Sequence, residues 1–179
     1  MTPDSLRVVR NCRPGVDWNT CGQAAIATML AHAGLGPFAA GVPLDDGEAI
    51  DRVSAEFPAD LPFGMGTTAG RIARALRAHG LAVERVHSGW FGRGAARALE
   101  RVRAHVAAGH PVPVCLDDHL LGGAAGGAHW AIVTAMEGDT VRLENAGLAE
   151  PVTLARFMEL WRCRWLPYGH NHAAVLGWL

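Results

Sequence analysis

The sequence predicts an α+β fold, with helices first and a mostly antiparallel sheet after them. Three observations point there. Up to Gly109 the apolar residues recur mainly at helical spacing, between Gly- and Pro-rich breaks. Beyond Gly109 short apolar runs take over, and Glu137-Gly138-Asp139 joins two of them as a hairpin turn. Half of the 179 residues are hydrophobic, enough for the core of one full-sized domain spanning 1–179.

The elements follow in order. Asn11 to Asn19 is a loop, with Pro14, Gly15 and Asp17 as turn residues. A helix starts near Cys21, carries Ala25, Ile26, Met29 and Leu30 on one face, and stops at Gly34. Asp45 to Phe57 is a second helix, capped by Asp45 or Asp46, with Ile50, Val53 and Phe57 inward. After the loop from Pro58 to Gly66, Thr67 or Thr68 caps a third helix that runs to about His79. Leu81 to His87 alternates as a strand, and Ala95 to Ala108 is a fourth helix with Leu99, Val102 and Val106 on its stripe. Pro111 to Leu116 is a short apolar strand, followed by a Gly/Ala loop from Gly122 to Gly127. His129 to Ala135 and Thr140 to Leu143 are the hairpin strands. A short helix over Thr153 to Trp161 and a last strand over Ala173 to Leu179 close the chain.

Composition excludes several classes. A formal net charge of -1 gives no basic surface for nucleic acid or anionic membrane. No apolar stretch reaches membrane-spanning length. Met1 to Arg7 lacks a basic segment followed by an apolar run, so no signal peptide is expected and a cytoplasmic location is. Cys12, Cys21, Cys115 and Cys163 are far apart with no CxxC spacing, so free thiols are expected. His170-Asn171-His172 has no partner at metal-ligand spacing, and no nucleotide fingerprint is present. Neither metal nor cofactor is expected.

The chemistry concentrates in three residues in the order Cys, His, Asn. Cys21 opens its helix, where unpaired N–H groups favour a thiolate. Gly22 beside it lets a substrate carbonyl approach the backbone, and nearby N–H groups can face an oxyanion. His129 opens a strand after the flexible loop and can serve as base toward Cys21 and then as acid toward the leaving group. Asn145 ends the next strand, where hairpin pairing returns it to the His129 ring; its amide oxygen can fix the tautomer. Each also has a plain alternative: an inert buried cysteine, a satisfied core histidine and a turn asparagine. The joint pattern favours catalysis. Trp18, Trp130 and Asp118 are candidates for the cleft wall.

These segments resemble the papain-like cysteine peptidases, above all the bacterial branch that includes the double-glycine leader peptidases of bacteriocin export. Asn19-Thr20-Cys21-Gly22-Gln23-Ala24-Ala25 is similar to the nucleophile segment of that branch. Gly109 to Val114 resembles a strand entering its sheet, and Ala128 to Val133 resembles its histidine strand. Asn145 matches the third triad position, which is Asp or Asn in the family. The resemblance implies a helical half bearing Cys21, packed on a sheet bearing His129 and Asn145. One position departs from it. The family carries an oxyanion-stabilising Gln six residues before the cysteine, and Gly15 stands there. Asn19, Asn11 or backbone N–H groups are the candidates to replace it. A second departure is that the exporter-linked peptidases are fused to a membrane transporter.

The expected activity is acyl transfer through a thioester on Cys21, with hydrolysis of a peptide or amide bond as its first form. A biosynthetic acyltransferase or peptide ligase would use the same triad with an amine acceptor. A non-catalytic peptide-binding module of the same fold is the third reading. The expected partner is a peptide or acyl substrate, free or carrier-bound.

Overall fold

The computed structural model describes residues 6–11, 20–39, 44–61, 66–89, 91–122, 127–163 and 171–179. Its helices are α1 (Cys21–Ala33), α2 (Asp46–Glu56), α3 (Ala69–Ala78), α4 (Ala95–Ala107) and α5 (Leu154–Leu160). Its strands are β1 (Ala82–Val86), β2 (Val112–Asp117), β3 (Ala128–Glu137), β4 (Thr140–Glu144), β5 (Val152–Thr153) and β6 (Ala174–Trp178). They form one sheet in the order β1-β6-β2-β3-β4-β5, antiparallel at each pairing. No helix among the described residues is long and apolar enough to cross a membrane.

Capping chemistry sets where the helices begin. Asp45, not Asp46, caps α2: its carboxylate accepts from Glu48 N–H at 2.8 Å. Thr68, not Thr67, caps α3 by accepting from Arg71 N–H at 3.1 Å. Thr153 caps α5, so that helix starts one residue later than the sequence suggests. Gly34 ends α1 in the left-handed conformation (φ 65°), and its N–H turns back to the Ala31 carbonyl.

The central strands β2, β3 and β6 are buried on both faces over most of their length, which explains why they read as continuous apolar runs. Trp130 and Ile132 of β3, Cys115 of β2 and Val175 of β6 face a core shared with α1, α2 and α3. Their neighbours Ala131, Val133, Val114 and Leu176 face a second core with α4 and α5. The helices therefore cover the sheet from two sides.

Helix α1 has no polar face at its start. Every residue from Cys21 to Leu30 is buried, a pattern reserved for a central helix. Its polar side chains find internal partners. The Thr28 hydroxyl donates to the Ala24 carbonyl at 2.9 Å and accepts from Val9 N–H at 3.0 Å. The Gln23 amide donates to the Phe57 carbonyl and accepts from the Thr67 hydroxyl.

Candidate active site

Cys21 is the first residue of α1, and no side chain caps that helix end. Burial by itself pushes the thiol pKa up. A hydrogen bond with His129, the charge of that ring, and backbone hydrogen bonds from Trp130 and Gly22 outweigh burial, and the thiol sits below its ordinary value. Across the pair, burial pulls the His129 pKa down. The hydrogen bond and charge of Cys21, the Asn145 carbonyl and the Asp118 carboxylate reverse this and raise it to about 9. Both shifts favour the same charged pair, a thiolate beside an imidazolium.

The ring is held at its other nitrogen. His129 Nε2–H donates to the backbone carbonyl of Asn145, which leaves Nδ1 for the thiol. This corrects one expectation: the Asn145 amide does not hold the ring. Asn145 has a left-handed backbone (φ 61°), which an asparagine tolerates and which ends β4 in a sharp turn. Its side chain runs the other way. Oδ1 accepts from Asn11 N–H at 3.2 Å, and Nδ2 donates to the Val9 carbonyl at 2.8 Å.

Two more expectations change. Trp130 is not a cleft-wall residue: its side chain is buried, and its indole N–H donates to the Thr67 carbonyl at 2.7 Å. It reaches the site through its main chain, at Cys21. The missing side chain of Gly22 serves packing. A Cβ there would lie 2.4 Å from Thr67 Cβ, so α1 starts in direct contact with Thr67. Asp118 follows β2 in a short 3-10 turn, Asp118–Leu121, and acts on His129 electrostatically. Trp18, Asn19 and Gly15 lie outside the described residues.

Sequence reasoning missed Val9 and Thr67, and it weighed Asn11 for a different role. Val9 and Asn11 lie 136 and 134 positions from Asn145, and only the fold brings them together. Among the described residues, no group of three or more His, Cys, Asp or Glu side chains is placed to hold a metal ion. His172 is buried, with its Nδ1 at 2.7 Å from Ser88 Oγ.

Cys21, Cys115 and Cys163 are buried and form no disulfide. The hydrogen bond with Cys163, followed by burial, raises the Cys115 thiol well above the ordinary range. Cys115 should therefore alkylate at least about a hundredfold more slowly than Cys21 at pH 7. Iodoacetamide labelling read by peptide mass spectrometry measures both sites at once. Equal rates at the two would contradict the assigned environments.

No family model and no curated protein sequence matches the chain. Among solved structures it is similar to a crystal structure from Bacillus anthracis described as a C39-like peptidase. The TM-score is 0.62 at 11% sequence identity, over 98% of this chain and 94% of that one. The chain has the papain-like α+β fold.

Proposed function

We propose that this chain is a papain-like cysteine peptidase that transfers acyl groups through a thioester on Cys21. The observation that supports it best is the Cys21–His129 pair at an uncapped helix N-terminus, with the ring anchored by the Asn145 carbonyl. The Cys21 thiolate attacks a peptide or amide carbonyl carbon. The tetrahedral oxyanion faces backbone N–H groups at the start of α1. As the C–N bond breaks, His129 gives its Nδ1 proton to the departing amine, leaving a thioester and a neutral imidazole. Neutral His129 then takes a proton from water, whose oxygen attacks the thioester and releases the acid. Cys21 returns as thiolate, and His129 regains its charge. The substrate is a peptide, as the likeness of Asn19 to Ala25 to the double-glycine leader peptidase branch suggests, and residues 1–179 act as one unit.

The test is the pH dependence of Cys21 alkylation by iodoacetamide. The rate should rise in two steps. The first marks formation of the ion pair and lies well below pH ~8, the region of an unperturbed thiol. The second lies near pH 9, where His129 loses its proton and the thiolate is freed from the pair. A single step at or above the ordinary thiol value would overturn the proposal.

A further inference from the structure

Residues 9–11 precede the nucleophile and touch both halves of the site. Val9 is fully buried, and its N–H donates to the Thr28 hydroxyl of α1. Arg10 N–H donates to the Asp46 carboxylate of α2 at 3.1 Å. Asn11 Oδ1 accepts from the Thr20 hydroxyl at 2.6 Å, one residue before Cys21. Across the cleft the Val9 carbonyl and the Asn11 N–H both meet the Asn145 amide. One partner is a backbone acceptor and the other a backbone donor, so the amide orientation is fixed. Asn145 pairs with the segment as a neighbouring strand would, taking one N–H and one C=O two residues apart.

We propose that Val9 to Asn11 is a positioning strap that fixes His129 against Cys21, with Asn145 as the link. The Asn145 side chain is held by the strap, and its carbonyl holds the ring. The strap is itself tied to α1 at Thr20 and Thr28, so nucleophile and base share one frame. This inference rests on the peptidase reading for its catalytic meaning but not for its structure.

Two substitutions separate the strap from simpler roles. Asn145→Asp keeps the shape but turns the Nδ2 donor into an oxygen facing the Val9 carbonyl. If the side chain served the ring directly, a carboxylate would strengthen the imidazolium and Asn145→Asp would keep or improve reactivity. Asn145→Gly keeps the left-handed backbone and the carbonyl but removes the amide. If the carbonyl alone mattered, Asn145→Gly would be silent.

The strap predicts that both variants move the first alkylation step of Cys21 up by about one pH unit, so that labelling on the rising limb below that step is about tenfold slower. Thr20→Val, which cuts the Asn11 tie without touching Asn145, should move it in the same direction. Circular dichroism of each variant checks that it is folded. The proposal is overturned if Asn145→Asp labels as fast as the parent or faster, or if Asn145→Gly leaves the step in place. Hydrogen exchange at the Asn11 amide gives a readout independent of chemistry. It should speed up at least about tenfold in Asn145→Gly, since that amide loses its acceptor. Unchanged exchange would refute the strap even if the parent enzyme shows both alkylation steps. Faster exchange in a chain whose Cys21 titrates as an ordinary thiol would sustain the strap and remove the peptidase reading.

Discussion

Cys21→Ala is expected to abolish acyl transfer while leaving the chain folded, and His129→Ala to slow Cys21 alkylation at pH 6 by about a hundredfold or more. The first follows because Cys21 is the thiol paired with His129, whereas the Cys115 thiol is held well above the ordinary range. Removing one buried sulfur costs about 1 kcal/mol of packing, well within the margin of a normal domain. The second follows from the balance at the thiol. Burial opposes ionisation there, and His129 supplies the leading opposing contributions. Without the ring, burial remains, and the thiol moves to or above the unperturbed value of about 8.5. At pH 6 an unperturbed thiol is under about 1% ionised, which sets the expected loss. The reciprocal measurement is the His129 titration in Cys21→Ala, followed by NMR. The ring pKa of about 9 rests first on Cys21, while burial pulls it down. It should therefore fall by at least about two units, since both the hydrogen bond and the charge are lost. Alkylation of His129→Ala that stays fast at pH 6 would mean that the helix N-terminus alone holds the thiolate.

How far the site was legible depends on the range of each signal. Cys21 could be found because its role is local: a helix start is written in the residues around it. His129 and its approach to Asn145 could be found because a hairpin imposes the pairing, and the observed register sets Ile132 opposite Glu144. The group that Asn145 offers could not be found, since sequence does not reveal a positive φ at a non-glycine residue. That backbone choice aims the carbonyl at His129 and turns the amide toward Val9 and Asn11. Trp130 was misplaced for a related reason. A run such as His129 to Val133 does not say which face is cleft and which is core, because both faces of this sheet are covered. The short β5 carries too few residues for a period-2 pattern. The fold class survived these errors because it rests on the order of many elements and not on one side chain.

Gly22→Ala should destabilise the chain by about 3 kcal/mol and disable the site, although Gly→Ala in a helix ordinarily stabilises by up to about 1 kcal/mol. The added methyl would lie 2.4 Å from Thr67 Cβ, 2.7 Å from its Oγ1 and 2.9 Å from its Cγ2. No flexible tip is available to yield. Thr67 is β-branched and fully buried, its hydroxyl donates to Gln23, and its carbonyl receives the Trp130 indole N–H. If α1 gives way, Cys21 moves with it. If Thr67 gives way, Trp130 moves, and its backbone supports the Cys21 thiolate. Either response loosens the Cys21–His129 pair, so stability and low-pH alkylation should be lost together. Thr67→Gly in the same chain removes all three clashing atoms and should recover most of both, less the Gln23 hydrogen bond. Denaturant midpoints and labelling rates for the single and double variants complete the cycle. A stabilised Gly22→Ala, or a double variant no better than the single, would show that the contact between α1 and Thr67 does not govern this position.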